Sequence, residues 1–361
     1  MVNSPSQPLD RAANSEIRHY YQSHRLFRDR YRVLKKLGQG GFGVTYLAQN
    51  ATLPGEPYCV IKQLCPKAGS ELSLERAKVR FRREARALAS LGSHSQIPQL
   101  LDYFTTGGEF YLVQEYVHGE TLAQEVRRAG RLTEAQVKYF LREIIPVVRF
   151  IHRNRIIHRD IKPPNIIRSE RDRRLVLIDF GAVREFLSDV DDQGSMQAPA
   201  TQFVGTPGFA PPEQLALRPC YASDVYALGM TCLYLLTART PIEFDQDPHS
   251  GVIRWHHTVT VSPHLTTVLD RMLLPDSQDR YTTVDELERA LDLEPHLEVL
   301  AGCMNTRDRP LYDADVDARD LPNDAYLTPI QREAQAIRKW RTKRSLSRGQ
   351  QGRPAGPVSR P

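Results

Sequence analysis

The stretch HRDIKPPN at residues 158–165, followed by DFG at residues 179–181, gathers polar groups of several kinds in a short length of chain. It supplies two carboxylates, an amide, a lysine and an arginine. Phosphoryl transfer passes through a loose and highly charged transition state, so a protein that catalyses it mainly positions groups and stabilises charge. These residue types at this spacing therefore indicate a phosphoryl-transfer site.

Each polar group in this stretch suits a particular chemical role. A hydroxyl that attacks a phosphoryl group needs a carboxylate beside it, and Asp160 fits this role. Divalent cations prefer oxygen ligands, which Asp179 and the side-chain carbonyl of Asn165 can provide. Lys162 follows Asp160 by two residues, where it can offset charge on the transferred phosphoryl group.

A glycine-rich segment, LGQGGFGVTYL, occupies residues 37–47. Glycines allow backbone amides to approach phosphates closely and allow a loop to bend over them. The commonest alternative for such a pattern is a dinucleotide-binding turn, which requires a helix directly after the glycines and an acidic residue about 20 positions later. Residues 44–48 and 58–64 have the composition of β-strands instead, so a hairpin is predicted.

These motifs resemble the catalytic, metal-binding and glycine-rich loops of protein kinases, and further landmarks follow in the order of that family between residues 31 and 293. The segment GTPGFAPPE, residues 205–213, resembles the part that docks the substrate, and SDVYALG, residues 223–229, supplies an anchoring aspartate. The segments GQGGFGVTYLA, HRDIKPPN and APPEQ are most similar to the corresponding segments of bacterial Hanks-type serine/threonine kinases. The set of motifs in this order is far more specific for protein kinases than any single motif.

The resemblance implies an α+β fold with two lobes. A small antiparallel β-sheet with one helix, the αC helix of the family, would form an N-lobe over residues 31–117, and a mostly helical C-lobe would follow over residues 118–293. ATP would bind between the lobes, with Mg²⁺ or Mn²⁺ held by Asn165 and Asp179. The implied nucleotide-binding residues are Gly38, Gln39, Gly40, Gly41, Phe42, Gly43, Val44, Val60, Lys62, Glu115, Val117 and Ile167.

Lys62 stands where kinases keep the lysine that holds the α- and β-phosphates. Its expected partner is Glu84, on a helix predicted over residues 73–91 from apolar residues at helical spacing. Glu84 also lies in an arginine-rich run and could be one more solvated charge, as most such glutamates are. Its spacing from Lys62 and the following Leu88 favour the ion pair. The implied catalytic residues are thus Asp160, Lys162, Asn165, Lys62 and Glu84.

Three departures from the family pattern touch the nucleotide pocket. Gln114 stands at the gatekeeper position, where many relatives carry a larger apolar residue. Thr45 stands where the glycine-rich pattern has valine, and Val60 stands where the lysine-bearing strand has alanine. The first of these two trades a methyl group for a hydroxyl and the second adds volume over the base, and ATP is still expected to fit.

The choice of acceptor and its docking are also implied by the resemblance. Lys162 and Thr206 indicate serine or threonine rather than tyrosine acceptors. Thr206 and Glu213 are the implied substrate-docking residues, and Arg280 is the expected partner of Glu213. The substrates would be proteins, because small-molecule kinases share only parts of this constellation.

Regulation is predicted from the placement of three arginines, Arg80, Arg159 and Arg184. In the kinase fold they would converge on the activation segment, which lies between Gly181 and Glu213. A phosphate there could make charge-assisted hydrogen bonds to the arginines and order this segment. Thr201 is the best candidate for autophosphorylation, which would take place in a transient homodimer. The alternative is that these arginines only coat the surface, as most arginines do.

The segments outside the kinase-like region have distinct compositions. Residues 1–30 are predicted to be a flexible N-terminal extension, and residues 294–330 a linker or an extended strap. Residues 331–361 contain nine basic residues and one acidic residue, so their charge of +8 leaves −2 for the rest of a +6 chain, and their composition predicts a basic, largely disordered tail. Such a tail could bind nucleic acid or another anionic partner, although a solvated extension is the favoured interpretation.

Composition limits the other classes of protein to which this chain could belong. The five cysteines show no CxxC pair, which argues against a disulfide framework or a zinc site. No signal peptide is visible, and the longest apolar run, residues 226–236, is shorter than the roughly 20 residues of a transmembrane helix, so a cytoplasmic protein without a membrane anchor is predicted. Two alternatives to an active kinase stay open: an ATP-binding pseudokinase scaffold, and an adaptor that acts through the basic tail. A pseudokinase would be expected to lack one of the central catalytic residues, and this sequence has them all.

Overall fold

The computed structural model describes residues 25–39, 43–64, 71–185 and 205–296, together with Ile17, Tyr20 and Ser23, and excludes the side chains of residues 71–77, 80, 184–185 and 295. Over these residues the chain forms a β-rich N-lobe followed by a mostly helical C-lobe. The predicted α+β class and two-lobed organisation are confirmed in this part of the chain.

The N-lobe is built on five antiparallel strands. They are β1 (Tyr31–Gln39), β2 (Gly43–Asn50), β3 (Tyr58–Leu64), β4 (Leu100–Thr106) and β5 (Glu109–Glu115), and they pair in the order β1-β2-β3-β5-β4. The helix α1 (Glu71–Leu91) lies between β3 and β4 in the chain and packs on one face of this sheet. Because side chains alternate along a strand, β3 directs Lys62 toward α1 and Ile61 toward the opposite face, called the outer face below.

The outer face of the sheet is covered by residues that precede β1. Ile17 and Phe27 are fully buried and join a cluster of aliphatic and aromatic residues from the strands. The Phe27 ring lies 4.9 Å from the ring of Tyr111 and 5.4 Å from that of Tyr20, between ring centroids. These residues belong to the segment 1–30 that was predicted to be a flexible extension, and Ile17, Tyr20 and Phe27 of this segment pack against the sheet. The packed N-lobe therefore begins before Tyr31.

Replacing Phe27 with leucine is expected to lower the free energy of unfolding by about 1.5 kcal/mol, because the ring contacts are lost and part of the volume stays unfilled. Tyr139, which is 63% exposed, is a suitable control position. Tyr139→Leu should change the free energy of unfolding by less than about 0.5 kcal/mol. Urea unfolding of the full chain measures both values, and equal losses would contradict the packing of Phe27 on the sheet.

The C-lobe is organised around one central helix. Its helices are α2 (Leu122–Ala129), α3 (Glu134–Arg153), α4 (Pro212–Leu215), α5 (Tyr221–Thr237), α6 (Pro263–Met272) and α7 (Val284–Asp292). α5 is apolar on nearly all sides and is buried along most of its length, which is the pattern of a helix inside a core. α3 packs against α5 and α7. Thr121 and Thr133 begin α2 and α3 with capping boxes that satisfy the first backbone amides of each helix.

Short strands complete the C-lobe and shape the floor of the cleft. β6 (Gly119–Thr121), β8 (Ile166–Ser169) and β9 (Leu175–Leu177) form a three-stranded sheet, β7 (Ile156–Ile157) pairs with β10 (Arg184–Glu185), and β11 (Asp245–Gln246) pairs with β12 (Ile253–Arg254). Short 3-10 helices cover Pro163–Asn165, Pro241–Glu243 and Glu294–His296.

Both ends of the C-lobe contact neighbouring elements, the first through a close backbone approach and the second through an ion pair. Gly119, where the chain enters this lobe, has φ of +154°, and a Cβ there would lie 2.1 Å from the carbonyl oxygen of Arg168. Only glycine allows the backbone to approach β8 so closely. At the other end Glu294, the first residue of the predicted linker, forms an ion pair with Lys138 of α3.

No helix in the described ranges is both long and apolar enough to cross a membrane. The described cysteines Cys59, Cys220 and Cys232 are free thiols. Burial raises the pKa of Cys59 to about 12, so that this thiol stays protonated on the outer face of the N-lobe sheet.

Candidate active site

Three charged side chains meet between the N-lobe sheet, α1 and the DFG segment. Lys62 Nζ lies 2.6 Å from Glu84 Oε1 and 3.0 Å from Asp179 Oδ1. The side chains of Lys62 and Glu84 are only 16% and 7% exposed, whereas that of Asp179 is 45% exposed. The predicted pairing of Lys62 with Glu84 is therefore present, and Glu84 is not a solvated charge. One oxygen of Asp179 binds the lysine, which leaves the other oxygen available to a ligand.

The close contact of these three groups shifts their pKa values. The charge of Lys62, opposed by burial, lowers the pKa of Asp179 to about 2. Burial alone would lower the pKa of Lys62, but the attraction of Asp179 and Glu84 outweighs it and raises the pKa. Burial raises the pKa of Glu84 against the opposing charge of Lys62. At neutral pH Lys62 is thus a cation and Asp179 an anion.

The stretch 158–165 places its functional groups around Asp160. Lys162 Nζ donates to Asp160 Oδ2 at 2.8 Å and to Thr206 Oγ1 at 2.6 Å. The Thr206 hydroxyl in turn donates to Asp160 Oδ1 at 2.8 Å. Asn165 Nδ2 donates at 2.9 Å both to Asp160 Oδ2 and to the Asp160 carbonyl. These bonds fix the carboxylate of Asp160 and turn the Asn165 side-chain oxygen away from it.

The backbone of this site is strained at two positions. Arg159 and Asp179 have φ of 68° and 67°, in the left-handed region that costs a non-glycine residue about 1–3 kcal/mol. The turn at Arg159 is stabilised by Asp224 at the start of α5, whose carboxylate accepts 2.9 Å hydrogen bonds from the backbone amides of His158 and Arg159. Asp224 is fully buried and also lies 2.8 Å from His152 Nε2. Asp224 therefore binds the backbone of residues 158–165, called the catalytic stretch below, and also lies near the start of a helix, as predicted.

His158 contributes packing that the sequence analysis did not anticipate. The residue is fully buried, and its ring meets that of Phe180 edge to face with 4.9 Å between centroids. Phe180 follows Asp179, so this contact connects the two motifs through their aromatic rings. Burial lowers the pKa of His158 from its ordinary value of 6.5, although Asp224 and Asp160 attract the charged form.

The buried imidazole predicts a pH dependence of stability. Below pH 6.5 His158 takes up a proton in the unfolded chain more readily than in the folded chain, so the free energy of unfolding falls as the pH falls below about 6.5. His158→Phe keeps a ring against Phe180 and removes the titration, so its unfolding free energy should fall less between pH 7.5 and 5.5. His257→Phe, at an exposed position, is the control. Urea unfolding at the two pH values checks this, and identical slopes for wild type and His158→Phe would argue against a neutral buried His158.

The segment 205–213 is anchored by a buried ion pair. Arg280 is fully buried, and its guanidinium binds both oxygens of Glu213 at 2.7 and 2.9 Å. It also donates to the Pro275 carbonyl at 2.7 Å, and Ser223 Oγ donates to Glu213 Oε1 at 2.7 Å. The predicted pair of Glu213 and Arg280 is thus present. It fixes α4 against the start of α5 and places Thr206 at the catalytic stretch.

Comparison with known proteins identifies the group to which this arrangement belongs. A family model described as the protein kinase domain matches residues 31–291. The chain belongs to the protein kinase family.

Curated relatives agree with this membership. The chain is 48% identical over 280 residues to serine/threonine-protein kinase B of Synechocystis, which covers 77% of this chain and 49% of the relative. It is 47% identical over 272 residues to serine/threonine-protein kinase PknA of Nostoc, covering 74% and 48%, and 41% identical over 269 residues to serine/threonine-protein kinase C of Synechocystis, covering 74% and 50%. The chain spans about half the length of these kinases.

The side chain of Val44, which was predicted to bind the nucleotide, lies on the outer face of the sheet. Val44 is buried in the outer-face cluster with Ile61, on the side of the sheet opposite Lys62. Thr45 pairs with Lys62 across β2 and β3 and therefore shares the cleft face. The side chain of Val44 therefore lies on the face opposite Lys62, because alternation along β2 gives the cleft face to Thr45. Val60 and Gln114 pair with each other on the cleft face and are both buried.

The other predicted nucleotide and regulatory residues fall into two groups. Gly38, Gln39 and Gly43 lie at the ends of β1 and β2, Glu115 and Val117 lie at the connection between the lobes, and Ile167 lies in β8 below it. Outside the described residues lie Gly40, Gly41, Phe42 and Thr201, the side chains of Arg80 and Arg184, the predicted linker after His296 and the basic tail. Arg159, the remaining regulatory candidate, is half-buried.

The oxygen atoms of Asn165 and Asp179 fit a divalent cation of a kinase. Both are hard donors of the kind that Mg²⁺ and Mn²⁺ prefer. Asn165 commits its amide nitrogen to Asp160, and Asp179 commits one oxygen to Lys62, so each retains an oxygen that no described residue binds. A Cβ on Gly181 would lie 3.2 Å from Glu84 Oε2, so glycine leaves room for the charged cluster beside this position.

Proposed function

We propose that this chain transfers the γ-phosphate of ATP to serine and threonine hydroxyls of protein substrates. The observation that carries the proposal is the hydrogen-bonded triangle of Asp160, Lys162 and Thr206. In this triangle the hydroxyl of a threonine already donates to the Asp160 carboxylate, with a lysine beside it. An acceptor serine or threonine would present the same hydroxyl to the same carboxylate, which accepts its proton while Lys162 offsets the charge of the phosphoryl group.

The nucleotide would be held by groups on both lobes. Lys62, kept in the cleft by Glu84, would bind the α- and β-phosphates, and the backbone around Glu115 and Val117 would bind adenine. Asn165 and Asp179 would hold a divalent cation, Mg²⁺ or Mn²⁺, which when bound neutralises phosphate charge. The geometry of Asp179 supports this assignment, because Lys62 holds one carboxylate oxygen at 3.0 Å and the other oxygen is bound by no described residue.

The regulatory part of the proposal is autophosphorylation of the activation segment. A phosphate on Thr201, added in a transient homodimer, would attract Arg159, Arg80 and Arg184. Arg159 is half-buried and is itself the strained residue directly before Asp160, which supports a link between such a phosphate and the position of Asp160. Mass spectrometry of active enzyme should find phosphate between Gly181 and Glu213, and a fully unmodified segment would refute this part. A cytoplasmic location, where ATP is available, accompanies the proposal.

The proposed acceptor class can be tested with a peptide library. The purified full chain is incubated with γ-labelled ATP, MgCl₂ and peptides that contain serine, threonine or tyrosine as the single acceptor. Label is expected on serine and threonine peptides and should disappear when EDTA removes the divalent cation. Label confined to tyrosine peptides would contradict the acceptor class. A complete lack of transfer would favour the ATP-binding scaffold instead.

A further inference from the structure

Gln214 connects the docking segment, residues 205–213, to the catalytic stretch. It follows Glu213 in α4 and is only 3% exposed. Its Nε2 donates a 2.7 Å hydrogen bond to the backbone carbonyl of Arg159. Arg159 is the strained residue directly before Asp160, so this glutamine acts on the backbone at the centre of the site.

The strained turn is therefore held from two sides. Asp224 accepts from the amides of His158 and Arg159, and Gln214 donates to the carbonyl of Arg159. That carbonyl belongs to the planar peptide group that joins Arg159 to Asp160, so a rotation of the group changes the backbone dihedrals on either side of it and with them the orientation of the Asp160 side chain. A buried carbonyl that loses its donor tends to reorient toward another partner. Asp224 alone fixes only the amide side of the turn.

Gln214 itself is well fixed. The neighbouring Glu213 binds the fully buried Arg280 through both carboxylate oxygens. The segment that contains Thr206 leads directly into this helix, so the same rigid unit supplies Thr206 to the carboxylate of Asp160 and Gln214 to its backbone. We propose that Gln214 is a positioning residue that sets the orientation of Asp160 according to the placement of the docking segment. This inference rests on the proposed phosphoryl transfer.

The first test removes the donor and keeps the size of the side chain. Gln214→Leu should lower kcat about tenfold and leave the KM for ATP unchanged, because the variant alters the orientation of Asp160 and not the phosphate contacts of Lys62. Thr231→Val is the matched control. Thr231 is also fully buried and donates to a backbone carbonyl, that of Ala227 at 2.8 Å, but this bond lies within α5. Its removal should affect unfolding and leave kcat within twofold of wild type.

The second test uses a pH-dependent donor. In Gln214→Glu the protonated carboxyl can donate to the Arg159 carbonyl, whereas the ionised form places two acceptors against each other. The ratio of kcat between this variant and wild type should therefore rise as the pH is lowered from 8 to 6. A ratio that stays constant over this range overturns the proposed hydrogen bond as the source of the effect.

A third measurement does not depend on activity. Hydrogen exchange of a peptide covering residues 156–165 should be faster in Gln214→Leu than in wild type and unchanged in Thr231→Val. A kcat of Gln214→Leu within twofold of wild type, or unchanged exchange, overturns the inference while wild-type transfer remains. An inactive wild type refutes the proposed function instead, and the exchange comparison then decides whether Gln214 holds the turn.

Discussion

Lys62→Met is expected to lower kcat by about two to three orders of magnitude and to raise the KM for ATP. The lysine is the cation placed between Glu84 and Asp179, and methionine fills a similar volume without a charge. The fold should survive. Burial already raises the pKa of Glu84, and without the opposing charge of Lys62 this carboxyl takes up a proton rather than remaining an unpaired anion.

Lys35→Met provides the control for this experiment. Lys35 is an exposed lysine on β1 of the same lobe. Its replacement should change kcat and the KM for ATP by less than twofold. Steady-state kinetics at several ATP concentrations, together with thermal unfolding, separates the loss of phosphate contacts from loss of structure. If Lys62→Met retained wild-type kcat, the contact with Glu84 and Asp179 would be structural only.

Arg280→Met is expected to lower the free energy of unfolding by about 3–5 kcal/mol. The guanidinium is fully buried and binds both oxygens of Glu213, so removing it leaves a largely buried carboxylate without its cation. Three backbone carbonyls, those of Leu274, Pro275 and Ala222, lose a donor as well. Because α4 also carries Gln214, the variant should lose activity at temperatures where it remains folded.

Arg128→Met is the matched comparison for this ion pair. Arg128 also pairs with a glutamate, Glu120, but the two side chains are 64% and 43% exposed. Solvent screens such a pair, so its removal should change unfolding little. Urea unfolding of both variants gives the comparison. Similar losses for Arg280→Met and Arg128→Met would mean that burial does not determine the strength of the Glu213 pair.

The sequence predicted those parts of the site that depend on local pattern. Lys62 lies near the end of β3 and Glu84 lies on the following helix, so strand and helix periodicity brings them together in the structure. The pairs of Asp224 with the catalytic stretch and of Arg280 with Glu213 followed from motif order. Asp224 and Arg280 are fully buried in the structure, where a charged group without a partner is costly, so each needs the partner that the motif order indicates.

The parts that the sequence did not predict depend on tertiary packing. Val44 is an exception, because Thr45 already stands at the valine position of the glycine-rich pattern, and alternation along β2 places the adjacent Val44 on the opposite face. Phe27 follows Leu26 within a run of basic and polar residues, and this short apolar pair gives no periodicity to indicate that Phe27 covers the outer face. The bond from Gln214 to Arg159 joins residues 55 positions apart, and a single glutamine gives no pattern to reveal it.

Transfer of labelled phosphate by wild type and by Asp160→Asn tests the central claim most directly. Asparagine keeps the shape of the side chain and an oxygen for Lys162, but it cannot accept the proton of an acceptor hydroxyl. With γ-labelled ATP, MgCl₂ and a serine or threonine peptide, wild type should transfer label and Asp160→Asn should transfer it at least about a hundredfold more slowly. Equal transfer by the two proteins would contradict the assignment of this cleft as a phosphoryl-transfer site built around Asp160.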